Sequence, residues 1–271
     1  MIKDITIGQF FPGNSFIHKL DARTKIVLTI AILVIIFLCG NFFALGIVTS
    51  FVLFSFLLTR LSVKLVLKSF KPLIPILILT SLLQLYYVDK GEEIFSYRKI
   101  IITSGGIYMM AFVVVRILTL ILASSMLTYT TSPTSLTDAI ESLLSPLKIF
   151  KIEVHIFAMM MTIALRFIPT LIEEIDRIMN AQKARGADFE TGNLIKRVKA
   201  LFPIFVPLFI SSFKRAFELA DAMSCRCYTG GEGRTRMKQP KTGIRDFAAF
   251  LALAVLTAAV IYINILFGRA I

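Results

Sequence analysis

Apolar and polar positions fall in blocks along this chain, and block length predicts the elements. Residues 1–24 are polar and mixed, carry the turn cluster Pro12-Gly-Asn-Ser15, and lack the apolar core of a cleavable signal peptide. An apolar run from Ile26 to about Cys39 follows, extended backward by Thr24 and Lys25, whose stem lets the ammonium reach an interface. Asp21 is placed to cap it. Gly40-Asn41 breaks the run without charge, and Phe42 to Thr59 returns. Arg60, Lys64, Lys68 and Lys71 come next with no acid among them, and Leu61, Leu65, Leu67 and Phe70 form an apolar stripe. That pattern predicts a short interfacial helix. Pro72 to Tyr87 is a third span, with both prolines in the first turn. Asp89 to Arg98 reads as a polar loop, Ile100-Ile-Ile-Thr-Ser104 as a short extended piece, and Gly105 to Thr131 as a fourth span.

The pattern then changes. Ser135 to about Phe150 predicts a short helix capped by Thr134 or Ser135. From Glu153 to Lys183, Val154, Phe157, Ala158, Met161, Leu165, Ile168, Leu171, Ile172, Ile175 and Met179 recur at spacings of mostly three and four. Arg166, Glu173, Glu174, Asp176, Arg177 and Lys183 take other positions, so the second half reads as amphipathic rather than spanning. A third pattern runs from Leu194 to Tyr228, where Pro203 and Pro207 predict kinks or a break. A basic linker (Arg234, Arg236, Lys238, Lys241, Arg245) leads to an apolar run, Phe247 to Phe267, long enough to span.

The predicted architecture is an all-α membrane protein. About five transmembrane helices lie near 24–39, 42–59, 72–88, 106–130 and 247–267. Residues 1–131 form the N-terminal membrane region, 132–245 a cytoplasmic region of two or three long amphipathic helices, and 246–271 the C-terminal transmembrane helix. The basic segments place the N-terminus inside, and five crossings leave the C-terminus outside.

Composition agrees. Hydrophobic residues make up 56% of 271, above the share of a soluble domain. The net charge of +13 fits cytoplasmic loops against anionic lipid. Its basic residues lack the aromatic interleaving that stacks on bases, which argues against nucleic acid. Cys39 sits in an apolar run as a small buried hydrophobe. Cys225 and Cys227 lack further ligands for a metal site, because the only histidines are His18 and His155. Arg116 is the one charge inside a span and is either a packed, paired arginine or part of a transport path. With no acid or histidine beside it in any span, a catalytic or proton-relay site has no residues to use. No Gly-Lys-Ser/Thr phosphate loop occurs.

Two pieces share a plan: Asn180-Ala-Gln-Lys-Ala-Arg-Gly186 and Asp221-Ala-Met-Ser-Cys-Arg-Cys227. Each puts an arginine at the end of a long helical pattern, followed by Gly186-Ala-Asp-Phe-Glu-Thr-Gly192 or Thr229-Gly-Gly-Glu-Gly233. A cation there suits the helix dipole, and Gly186 can take a left-handed cap. A guanidinium fork suits carboxylates or carbonyls in a partner's groove, and small flanking residues let a partner approach. A solvated arginine that merely suits the dipole is the plainer alternative.

With Gly8-Gln-Phe-Phe-Pro-Gly13, His18-Lys-Leu-Asp-Ala-Arg-Thr-Lys25 and Tyr228-Thr-Gly-Gly-Glu-Gly-Arg-Thr-Arg236 added, the chain resembles the transmembrane T component of energy-coupling factor transporters over nearly its whole length. Ala184-Arg185-Gly186 matches the family motif; Cys225-Arg226-Cys227 keeps only its arginine. The resemblance implies a non-catalytic scaffold in a prokaryotic cell membrane. Ala184, Arg185, Gly186, Cys225, Arg226 and Cys227 would bind two ABC-type ATPase subunits, which hold the ATP, so no cofactor is expected on this chain. A membrane-embedded substrate-binding S component would face Phe157, Met160, Met161, Phe205 and Phe209. Met159-Met160-Met161 would suit several such partners through its soft surface. Vitamins are the first substrate class implied; a dedicated biotin, cobalt or nickel system, or a conventional ABC permease, are the alternatives.

Overall fold

The computed structural model describes residues 10–87, 93–97, 100–150, 153–187, 194–230 and 242–267. The helices are α1 (Ala22–Leu38), α2 (Phe42–Thr59), α3 (Val63–Phe70), α4 (Ile74–Tyr87), α5 (Ser104–Thr130), α6 (Pro133–Leu143), α7 (Val154–Ala184), α8 (Leu194–Cys225) and α9 (Ile244–Phe267). Two strands, β1 (Glu93–Tyr97) and β2 (Ile100–Thr103), pair antiparallel between α4 and α5. The extended piece expected at 100–104 is β2, although Ser104 already begins α5. Part of the expected polar loop is its partner strand: Phe95 and Tyr97 pair with Ile102 and Ile100, residues of the aromatic and β-branched kind that fit a pleat. The fold is otherwise all-α, as the blocks predict.

Among the described residues, α2, α5, α7 and α9 are long and apolar enough to cross a membrane. α1 has 17 residues, about 25 Å at the helical rise, the short end of a span. Lys71–Tyr87 is apolar and also short. In the apolar first half of α7, Arg166 is the only Asp, Glu, Lys or Arg between 154 and 171. The amphipathic reading rests on that arginine and on the charges from Glu173 onward. α8 runs unbroken through Pro203 and Pro207.

The chain divides into two compact units, residues 1–139 with 239–271, and residues 140–238. In the first unit, α1, α2, α5 and α9 enclose a core. Toward one end Ile35 and Ile36 of α1 and Cys39 just after it meet Ala44, Leu45 and Val48 of α2, Phe112 of α5, and Leu256 and Val260 of α9, and Val52 and Phe56 of α2 with Leu122 and Ala123 of α5 carry the core onward. At the other end α1 buries only Thr24 and Lys25, and nothing between Lys25 and Ile35 is buried.

Polar groups tie this unit at both ends. Asp21 caps α1 as expected, accepting from the Arg23 N–H at 3.2 Å. Its own N–H donates to Asp246 Oδ1 at 3.0 Å, and Lys25 Nζ donates to the carbonyls of His18 (3.2 Å) and Thr130 (2.9 Å). His18 bonds Ser15 Oγ and the Phe11 carbonyl through its two ring nitrogens; burial pulls its pKa below the ordinary value, against the pull of that carbonyl. At the far end of α1, Arg116 Nη2 donates to the Cys39 carbonyl at 2.6 Å and the guanidinium lies 4.4 Å over the Phe112 ring. Asn264 donates to the Leu38 carbonyl at 2.9 Å. Orphan carbonyls at a helix C-terminus are thus met by a cation and an amide. Arg116 is a packed, partnered arginine, and Cys39 is a buried thiol bonded to the Ile35 carbonyl.

α6 begins two residues earlier than expected. Pro133 starts it and Ser132 Oγ accepts from the Ser135 N–H at 3.2 Å, so Ser132, rather than Thr134 or Ser135, is the cap.

Candidate functional site

The second unit is built on α7 and α8, which pack on one another. Glu174 on α7 and Arg215 on α8 join them, Arg215 Nη2 donating to Glu174 Oε2 at 2.8 Å. Glu174 lies 11 residues before Arg185, and Arg215 lies 11 before Arg226. Each arginine therefore stands about 16 Å beyond the ion pair at the helical rise of 1.5 Å per residue. The pair fixes the two helices at positions equidistant from their ends, giving two arms of equal length.

Both arms end the same way. At the first, the Gly186 N–H donates to the Lys183 carbonyl and the Ala187 N–H to the Gln182 carbonyl, both at 3.0 Å. At the second, the Cys227 N–H donates to the Ser224 carbonyl at 3.0 Å and the Tyr228 N–H to the Met223 carbonyl at 3.1 Å. These paired closing bonds turn the chain off the helix and need a left-handed residue after the cap. Gly186 fills that place with φ +86°, and Cys227 with φ +57°. Glycine adopts this conformation without steric cost; a cysteine carries strain there.

Ala184, Arg185, Gly186, Cys225, Arg226 and Cys227 are all exposed. Among the described residues neither guanidinium is held by an ion pair or a side-chain hydrogen bond. Each is a free fork of donors at the negative end of a helix dipole. The two thiols are free and exposed.

The five predicted apolar residues are also exposed. Phe157, Met160 and Met161 share a face of α7 by their spacing of three and four. Phe205 and Phe209 lie one turn apart on α8, and the Phe209 ring meets Phe213 edge-on at 4.7 Å. The same stripe continues through Phe202 and Phe217, 68% and 66% exposed. A contiguous exposed apolar surface of this kind marks contact with lipid or a protein partner. His155 Nδ1 pairs with Glu141 Oε1 at 3.0 Å. Among the described residues no group of three or more His, Cys, Asp or Glu could hold a metal. The predicted stretches 8–9, 188–192 and 231–236, and the linker residues Arg234 to Lys241, lie outside the described residues.

The Glu174–Arg215 pair was missed. Its signal was present in the sequence: opposite charges separated by the same 41 positions that separate the two arginines.

Comparison with known proteins gives a consistent result. The family described as "CbiQ: Cobalt transport protein" matches residues 13–237. A protein of Ruminiclostridium cellulolyticum is 51% identical over 239 residues, 88% of this chain and 89% of that one. One of Thermosediminibacter oceani is 49% identical, covering 94% and 96% of the two chains. One of Clostridium kluyveri is 47% identical, covering 99% and 100%. Each of the three is named energy-coupling factor transporter transmembrane protein EcfT.

Proposed function

Because the chain belongs to the CbiQ family and is the transmembrane component of an energy-coupling factor transporter, a multi-pass membrane protein, we propose that it is the scaffold through which two ABC-type ATPases drive uptake by a separate S component. The observation that carries this reading is the pair of equal arms, each ending in an exposed, unpaired arginine on the same cap. Two identical or related ATPase subunits need two like docking points, and a guanidinium fork donates to carboxylates or helix-end carbonyls in a groove. The arginine and its small neighbours at 184–186 and 225–227 are the docking residues. The chain holds no phosphate loop, so ATP binds and is hydrolysed on the partners, and this subunit catalyses nothing itself.

The Glu174–Arg215 pair then lets a displacement of either end be felt by both helices. Phe157, Met160 and Met161 on α7, and Phe205 and Phe209 on α8, form the apolar surface that the S component rests on, and motion of the helices tilts that partner to release its cargo inward. The basic segments around Arg60 to Lys71 and before α9 support an orientation with the N-terminus and the arginine ends on the cytoplasmic side and the C-terminus outside. Vitamins carried by exchangeable S components are the cargo of this reading. A dedicated system for biotin, cobalt or nickel is the second, favoured by the cobalt of the family description.

Co-expression with the partner subunits, followed by capture of the complex, tests the docking role. Arg185→Glu and Arg226→Glu each weaken ATPase retention, and the double variant loses both the ATPases and ATP-driven uptake. A double variant that keeps both would reduce the arginines to surface caps.

A further inference from the structure

The four helices around the first unit's core leave it unfilled at the Lys25 end. A cavity of about 210 Å³ lies there, lined by Phe16, Ile17 and Leu20 of the segment before α1 and by side chains that fall between positions 25 and 32 of α1, 51 and 58 of α2, 123 and 130 of α5, and 248 and 253 of α9. α1 and α9 contribute their starts, α2 and α5 their ends, so all four stretches belong to one side of the bilayer. Seven residues of helix make the cavity about 10 Å deep. One leaflet's hydrocarbon is about 15 Å thick, so the cavity runs from headgroup level most of the way to the midplane.

Its lining is apolar apart from Lys25, Thr29, Ser55 and Thr130. Lys25 is 6% exposed and lies at the polar end. An ammonium has three donors, and two are assigned, to the His18 and Thr130 carbonyls. The third is unassigned among the described residues, with the Asp21 and Asp246 carboxylates in electrostatic reach of the ammonium. Near this mouth in sequence, Lys19, Arg23, Arg60 and Arg245 join Lys25 against only Asp21 and Asp246. The side wall opens at Phe54 and Leu58, 61% and 42% exposed on a spanning helix.

We propose that this cavity is a lipid site: it takes one acyl chain of an anionic phospholipid, and Lys25 donates to an ester or phosphate oxygen of the same molecule. The shape argues for a lipid, because an occupant must carry an acceptor at headgroup level and an apolar tail that follows the helices inward. The surplus of cations at the mouth argues for an anionic one.

The chain has no tryptophan, so a single one reports locally. Phe54→Trp puts an indole at the rim of the cavity. Phe250→Trp puts one at the same depth on α9 but off the lining, since Ala248, Ala249, Ala252 and Leu253 line and Phe250 does not. Each full-length variant is reconstituted into vesicles containing phosphatidylglycerol or phosphatidylcholine with brominated acyl chains. Phe54→Trp should be half-quenched by the phosphatidylglycerol at about fivefold lower mole fraction than by the phosphatidylcholine, the bias one lysine near an anionic headgroup supplies. Phe250→Trp should show little preference. Lys25→Met in the Phe54→Trp background should level the two lipids. Ala252→Leu, which fills the cavity and leaves the ammonium in place, should remove the tight component independently. Equal quenching by both lipids at positions 54 and 250 would make the occupant ordinary boundary lipid and overturn the proposal. An unquenched Phe54→Trp would also overturn it, leaving the space to a protein segment.

Discussion

The two arginine ends are built by the same bonds at the same distance from one ion pair, yet they differ at the residue that must turn left-handed. At the first end that residue is Gly186, and at the second Cys227. A left-handed backbone costs an L residue with a side chain about 1–2 kcal/mol, and glycine is spared that cost. The comparison teaches that the cap geometry is imposed by the helix end and its closing bonds, not by glycine. It also makes the second end the more strained of the two, for the same arginine placement.

The largest expected effect comes from forcing strain on the unstrained end. Gly186→Val puts a β-branched residue at φ +86°. Nothing lies within 4 Å of an added Cβ there, so the cost is backbone strain alone, about 2 kcal/mol. The last turn of α7 should fray and Arg185 should lose its fixed place. Thermal melting should fall, and the captured complex should keep one ATPase, held at Arg226. If both ATPases stay at wild-type levels, the cap does not position Arg185 and the two ends are alike only in appearance.

Much of this was legible beforehand. The spans at α2, α5 and α9, the Asp21 cap and the helix stop after Arg185 follow from apolar block length, a capping residue and a glycine, all local signals. What was not legible depended on distance in the sequence. Cys227 carries no left-handed signal of its own; it takes that conformation because Tyr228 and Cys227 close onto Met223 and Ser224. The partner strand at Glu93–Tyr97 hid in a polar stretch because its pairing with Ile100–Thr103 is what orders it. Ser132 was overlooked because Pro133 begins α6, which moves the cap back from the two hydroxyls considered. The roles proposed for the arginines and the exposed phenylalanines rest on resemblance and exposure together, and neither periodicity nor burial alone would have named a partner.

A smaller effect should follow from uncoupling the arms. The Glu174 and Arg215 side chains are 18% and 33% exposed, so their bond is partly screened and is worth about 1 kcal/mol. Glu174→Gln and Arg215→Gln should each lower the melting temperature slightly while leaving both ATPases bound. ATP-driven uptake should fall more than ATPase retention. The exchanged double variant, Glu174→Arg with Arg215→Glu, should recover at least half of the loss. Recovery of melting without recovery of uptake would mean that the pair holds the helices together without linking their ends.

The smallest effect is the most direct test of the comparison. Cys227→Gly removes a strain of about 1–2 kcal/mol at φ +57°. It adds back about 0.5–1 kcal/mol through the greater freedom of glycine in the unfolded chain. The net should be a stabilisation of about 0.5–1 kcal/mol, read as a small rise in melting temperature. Arg226 keeps the same cap, so ATPase retention should be unchanged or slightly better. Cys227→Ala separates the thiol from the backbone: it keeps the strain and should leave stability as it is. If Cys227→Gly and Cys227→Ala behave alike, the thiol rather than the left-handed backbone distinguishes the second end, and the strain assigned to it is absent.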